Sequence, residues 1–394
     1  MSGTMTPAAE TARYIDGLGA EALATAQAYT IGNHWLLLAG VIVSLLTALV
    51  MVRLRLLDRI AARLAGRSWA LASFLTGAAF LALSDLIQLP WVLLTSWQRE
   101  RDFGLSSQPL GDYLGQWALD EGITVLFGGL FLLGIYALIR RTGARWWLWA
   151  SGFTAMAVVL LLLALPSVFQ PLFNKYEPLP AGPVRVALEK IADDVGIPHD
   201  RIFLYDGSRQ SDRFTANVTG LGPTARIAIS DVALKGASID EVRAVTGHEA
   251  GHYKLGHVWR SLVVMPLLAM LLFWLAGRLF APTARLLGST ATLAEPRGFP
   301  VFMVLSSVLG LLTLPITNGL TRTGETAADA YSLATVNEPD ALASALVKTA
   351  EYRYPRPTEL QELLFYTHPS VEKRVLRAME WKAAHPRSET APKP

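Results

Sequence analysis

The sequence predicts a mostly α protein, a polytopic membrane helical bundle of about six to seven spans that carries a smaller α+β domain. Three observations predict it. Hydrophobic residues make up 52% of the chain and charged residues only 17%, against about 25% charged in a typical soluble domain. Six stretches approach the ~20 apolar residues that a bilayer crossing needs. Two polar regions interrupt them, one with strand-like alternation and one reading as short helices.

The six stretches run over His34–Val52, Trp69–Leu94, Thr124–Leu138, Trp147–Phe169, Trp259–Phe280 and Pro300–Leu320. Tryptophans 35, 69, 91, 146, 147 and 259 sit at or near their ends, as in an interfacial aromatic belt. Buried helices of a soluble bundle would show a polar face at helical spacing. "AMAVVLLLLALPSVF" has none. The opening "MSGTMTPAAETARYIDGLGA" lacks a basic stretch leading into a short apolar core, so the first span itself is expected to drive insertion. With no cysteine in the chain, disulfides and thiolate metal ligands are excluded. The net charge is +3, and no compact basic tract interleaves with aromatics, which excludes a nucleic-acid partner.

These signals divide the chain into a membrane region of four spans over 1–172, a polar region over 173–258 and a membrane hairpin over 259–320. A second polar region follows over 321–384, then a disordered tail over 385–394. In the first polar region "PVRVALEKIADDVG" reads as an amphipathic helix, while "RIFLYD" and "ARIAIS" read as strands separated by the loop "GSRQSDRFTANVTGLGPT". Ser238 with Glu241 forms a capping box that starts the next helix. "EPDALASALVKTAEY" and "PSVEKRVLRAMEW" read as helices with proline in their first turns. Asp85, inside the second span, is expected to face a polar interior or to pair with an arginine.

The chemistry lies in "VTGHEAGHYKLGHVW", which holds three of the seven histidines. His248 and His252, four apart on a helix, project from one face and can both reach one zinc ion. Glu249, beside the first of them, can take a proton from an attacking water. His257 comes nine residues after His248, where the three-histidine pattern wants ten, so it reads as an outer-sphere or interfacial histidine. Glu325 is the better third ligand, with Asp329 one turn on to accept the N–H of a ligating histidine. Alone, this pair would be an ordinary acidic helix face. The membrane hairpin between the two segments returns the chain to the side it left and so brings them together.

With those residues in hand, the chain resembles the type I CAAX prenyl endopeptidase family. These are integral-membrane gluzincin metallopeptidases typified by the yeast a-factor-converting enzyme, with HtpX-like proteases as more distant relatives. The resemblance rests on "LPWVLLTSWQRERDFGLSSQPLGDYL", "QPLFNKYEPLPAG", "HEAGHYKLGH", "NGLTRTGETAADAYS" and "THPSVEKRV". It implies a ring of membrane helices around a water-filled chamber, capped by a gluzincin domain. One Zn²⁺ would be held by His248, His252 and Glu325, with Glu249 as general base. Asn217, before an edge strand, would contact substrate, and His368 and Arg374 would bind substrate backbone or a developing oxyanion. As a capping residue, His368 would only start the helix after Pro369.

The expected partners are a peptide or protein substrate, lipidated or not, and the bilayer. Substrate backbone is expected to add as a strand beside "ARIAIS". A processing endopeptidase and a broad quality-control protease of damaged membrane proteins both fit. A zinc-domain membrane sensor needs an appended effector domain, which the sequence does not display. The Ala-, Leu- and Arg-rich composition is bacteria-like and points to a bacterial inner membrane. The arginine-rich short loops around Arg53–Arg67 and Arg140–Arg145 would put the catalytic regions outside, whereas the resemblance implies a cytosolic active site.

Overall fold

The computed structural model describes residues 5–386, so the tail from 387 onward lies outside the described residues. The chain divides into two compact units. A membrane unit comprises Trp35–Leu161 and Trp259–Thr313, and a polar unit comprises the N-terminal segment through His34, Leu162–Val258 and the C-terminal segment from Leu314.

Among the described residues, five helical stretches are long and apolar enough to cross a membrane: Ala20–Arg53, Trp69–Asp102, Leu110–Phe173, His257–Leu287 and Pro296–Thr335. The third doubles back at Gly143, where φ is 52°, a left-handed value that glycine adopts without Cβ strain. Phe131 stacks on Phe153 across this turn at 5.4 Å. That 64-residue stretch is therefore long enough for two passages. A wide π turn at Thr124–Gly128 joins Leu110–Ile123 to Gly129–Thr142. The apolar signal of the third span covers only the middle of this longer element.

The core of the membrane unit is aromatic. Phe80 and Tyr136 pack on Phe299 at 5.2 and 4.7 Å, with Met51, Leu57 and Trp146 buried around them. The outward faces are apolar as well: Leu312 is 68% exposed, Val263 64% and Leu160 58%. Exposed side chains of this kind, row upon row, decide for a bilayer against a soluble bundle. Asp85 is half-buried against a polar neighbour. Its partner is another carboxyl group, Glu121, and not an arginine.

The polar unit is built on a four-stranded sheet of order β1-β2-β4-β3. Strand β1 is Tyr176–Pro178, β2 Ile202–Tyr205, β3 Ala216–Thr219 and β4 Arg226–Ser230. β2 and β4 pair in parallel, while β1 and β3 run antiparallel to their neighbours. β4 is buried along its whole length and hydrogen-bonded on both sides, so it cannot accept an added strand. The edge strands are β1 and β3, and β3 lies inside the segment that the sequence presents as a loop. Leu188, Ile191 and Val195 of the helix Pro183–Val195 pack with Ile202, Ile227 and Ile229 of the sheet and with Val242 and Ala250.

A second apolar cluster in this unit joins Ile15 of the N-terminal helix Pro7–Asp16 to Leu342, Leu346, Val375 and Met379. Tyr14 donates to Asp340 at 3.0 Å and Lys382 to Glu10 at 3.0 Å on the same seam. The helix Pro7–Asp16 is thus part of the polar unit, a role its sequence did not disclose.

Candidate metal centre

The motif lies on the helix Ile239–Lys254. Its start is the expected capping box: Ser238 Oγ accepts from the Glu241 backbone at 3.2 Å, and Glu241 Oε2 accepts from the Ser238 backbone at 2.8 Å. Glu241 also takes Lys348 Nζ at 2.8 Å and Ser344 Oγ at 2.7 Å, which ties the motif helix to the helix Pro339–Lys348.

Glu325 and Asp329 lie on the 37-residue helix Phe299–Thr335, about 55 Å of unbroken α-helix. Glycines let the two helices touch. A Cβ at Gly251 would stand 3.2 Å from Ala328 Cα and 3.1 Å from Tyr331 Cβ, and one at Gly247 would meet Val336 at 2.5 Å. Ser332 Oγ closes the contact by donating to the Ala244 carbonyl at 2.6 Å. Gly247 and Gly251 precede the two motif histidines, and a Cβ at either would press on the helix that carries Glu325.

Nε2 of His248 and Nε2 of His252 are 3.2 Å apart, and Glu325 oxygens lie 3.2 and 3.3 Å from them. Nitrogen or oxygen ligands bonded at about 2.0–2.1 Å to one tetrahedral centre stand about 3.3 Å from each other. Glu325 Oε2 is buried and makes no hydrogen bond, and no oxygen-bound proton is needed to explain its position if a cation sits between these atoms. The donor set, two imidazoles and a carboxylate, fits a zinc-type metal.

Each histidine is oriented from behind. His248 Nδ1 donates to Asp329 Oδ1 at 2.8 Å, and Arg374 grips the same carboxylate with Nε and Nη2, both at 2.7 Å. His252 Nδ1 lies 2.9 Å from Nδ1 of His257, so His257 stands behind His252 as Asp329 stands behind His248, outside the ligand triangle. Burial works against a charge on His248, but Asp329 and Glu325 outweigh it and raise its pKa to about 9. Burial raises the Glu249 carboxyl above its ordinary value, although both motif histidines pull the other way.

His368 Nε2 is 3.2 Å from Glu325 Oε2, and its Nδ1 is 2.9 Å from Thr367 Oγ1. Burial, reinforced by the nearby Arg353 guanidinium, lowers its pKa to about 3, so it is a neutral hydrogen-bond donor. It is not a helix cap, because Ser370 caps Val371–Ala384. Its loop is pinned from the long helix: Asn318 donates to the Leu364 carbonyl at 2.8 Å, and Arg322 to the Glu362 and Tyr366 carbonyls at 2.8 and 2.5 Å. Sequence reading passed over Asn318 and Arg322, although they precede Glu325 at helical spacing on the same segment.

A cavity of 180 Å³ opens beside these groups, lined in part by Thr215, Glu249, Arg353, His368 and Arg374. Arg374 Nη1 makes no hydrogen bond among the described residues. Asn217 lies on β3 with its Oδ1 buried and unpartnered. It is not in the cavity wall, whereas its neighbours Thr215 and Ala216 are.

A histidine pair on a capped helix, a glutamate one residue into the motif and a carboxylate from a second helix define a metallopeptidase site, here in a polytopic membrane protein. Residues 178–382 match peptidase family M48, and residues 6–175 match the family described as CAAX prenyl protease N-terminal, five membrane helices. The chain is 27% identical over 303 residues to the uncharacterized metalloprotease YhfN of Bacillus subtilis, covering 75% of this chain and 70% of that protein. It is 28% identical over 307 residues to CAAX prenyl protease 1 of Saccharomyces cerevisiae, covering 74% and 66%. The fold matches the crystal structure of S. mikatae Ste24p with a TM-score of 0.77 at 24% identity, over 92% of this chain and 90% of the other. The chain belongs to peptidase family M48 and is an integral-membrane metalloendopeptidase.

Proposed function

We propose that this chain hydrolyses peptide bonds with one Zn²⁺ held by His248, His252 and Glu325, and that it processes lipid-modified or membrane-delivered peptides. The observation that carries the reading is the ligand cluster: His248 Nε2 lies 3.2 Å from His252 Nε2, with Glu325 Oε2 3.2 Å from the first and Glu325 Oε1 3.3 Å from the second. A bound zinc ion supplies a Lewis acid that polarises the scissile carbonyl and acidifies the attacking water.

The protein's own groups do the rest. Glu249 takes the proton of the attacking water and passes it to the leaving amine, a shuttle helped by a carboxyl pKa that burial raises above its ordinary value. Neutral His368 and the free Nη1 of Arg374 donate hydrogen bonds to the developing oxyanion, the kind of preorganised charge stabilisation that often dominates catalysis. Asp329 fixes the tautomer of His248 by accepting its Nδ1–H, and Arg374 holds Asp329 in place.

The substrate backbone would extend along the free edge of β3, whose Thr215 and Ala216 line the cavity. Asn217, with an unpartnered amide oxygen on that strand, would receive a substrate N–H. The bacteria-like composition supports an inner-membrane location, and the prenyl-protease relatives support a lipidated substrate.

Purified Glu249→Gln should bind zinc like the wild type and lose proteolysis by about 10²–10⁴-fold. Wild-type cleavage rates in that variant would refute the role of Glu249. Comparing membrane-peptide products of cells carrying the two forms would separate processing, with few defined cuts, from broad quality control.

A further inference from the structure

The cavity beside Glu249 contains a charge that the hydrolytic steps leave unused. Arg353 follows the short helical turn Thr349–Glu351 and forms part of the wall with His248, Glu249, His368 and Arg374. Arg374 is neutralised by its two bonds to Asp329. Arg353 is not neutralised. Among the described residues no carboxylate lies within ion-pair distance of its guanidinium, and that group makes no hydrogen bond. Its side-chain contact is with the Tyr352 ring, 5.5 Å from the ring centre.

A guanidinium keeps its proton in a protein, so Arg353 retains a full positive charge in a partly buried wall. Proteins seldom leave a buried charge uncompensated, because desolvation is costly without a partner. The planar fork of arginine matches a carboxylate with two parallel hydrogen bonds. Leu342 and Leu346, on another part of the wall, offer apolar contact to the carbon atoms of the same residue. The cavity is of a size for a single residue that is apolar on one side and anionic on the other.

Resting on the peptidase reading above, we propose that Arg353 forms a carboxylate-recognising subsite, selecting peptides that bring an acidic group into the cavity beside Glu249. The carboxylate is either the C-terminal one of the peptide or that of an aspartate or glutamate side chain.

The test uses the full-length zinc-loaded enzyme in detergent and four quenched peptides of otherwise one sequence. One pair differs as C-terminal acid against C-terminal amide, the other as aspartate against asparagine on the leaving side, both amidated. We expect kcat/KM to favour the carboxylate member of one pair by about 10- to 100-fold, the scale of a charge-assisted bond. The acid/amide pair responding identifies a chain terminus, and the Asp/Asn pair responding identifies a side chain. In Arg353→Gln the preference should collapse towards one, and Arg353→Lys should keep a reduced preference.

Equal cleavage of all four peptides by the wild type would overturn the proposal, as would an undiminished preference in Arg353→Gln. If that variant does not fold, the wild-type ratios alone decide. Failure of the wild type to cleave any peptide would overturn the peptidase reading and this subsite with it, an outcome distinct from cleavage without preference.

Discussion

Asp329→Asn perturbs the site at the point where its supports meet. Asp329 Oδ1 accepts from His248 Nδ1 at 2.8 Å and from Arg374 Nη2 at 2.7 Å, while Oδ2 accepts from Arg374 Nε at 2.7 Å. Asparagine keeps the shape but offers one acceptor oxygen. Its amide N–H₂ must then face an N–H donor, and the buried Arg374 loses its counter-charge. Breaking one side of a buried ion pair costs about 3–5 kcal/mol. Loss of the partner that orients a ligating histidine weakens metal binding by about 10- to 100-fold, or about 1.4–2.8 kcal/mol. The rest should appear as lower stability of the folded enzyme. Chelator competition reads the first quantity and denaturation in detergent the second. Adding Arg374→Gln to Asp329→Asn should recover part of the stability loss, because the stranded charge is gone, and a double-mutant cycle measures that coupling. An Asp329→Asn enzyme with wild-type zinc affinity and stability would refute this account of the support.

The pKa of His248, raised to about 9 by Asp329 and Glu325, means that binding the proposed zinc at pH 7 displaces a proton; affinity should climb with pH, about tenfold per unit, and calorimetry in buffers of different ionisation enthalpy counts the proton. As the proposed base Glu249 must be ionised, and burial raises its pKa, so kcat/KM should fall with decreasing pH through a value above the ordinary carboxylate range. Gly251→Val forces the motif helix away from Ala328 and Tyr331; a stability loss of about 1–3 kcal/mol with weakened zinc retention is expected on denaturation and chelator titration. His257→Phe removes the partner of His252 Nδ1 and should weaken zinc binding by about 10-fold or more, with His257→Gln intermediate in the same titration. Proteolysis of the loop around Gln210 in oriented vesicles should report a cytosolic active site if the resemblance is the better guide, or an external one if the arginine-rich loops are.

Much of this architecture is written in local pattern. A run such as "AMAVVLLLLALPSVF" has no polar face and can fold stably only in contact with lipid or other apolar helices. Ser238 and Glu241 announce the motif helix because a capping box is satisfied within four residues, and the four-residue spacing of His248 and His252 fixes their common face. Each of these facts depends on neighbours along the chain. The third metal-binding candidate was also accessible, since a hairpin must return to the side it left.

Tertiary structure decided the rest. β3 hides in a Gly- and Ser-containing segment because its pairing energy comes from β4, ten residues later, and not from its own alternation. β4 looks like an edge and is central, because burial of both faces and both sides is a property of the sheet. The N-terminal helix joins the polar unit through Ile15, a contact no local signal contains. Gly247 and Gly251 read as poor helix residues until the long helix is seen packed against them. Asp329 and Arg374 meet across 45 positions of sequence, and Arg353 is an ordinary basic residue until the surrounding fold denies it a carboxylate. Sequence determines which groups are present and how their own helices present them; only the folded chain determines which charges are paired, because pairing depends on distances between segments that the sequence leaves free.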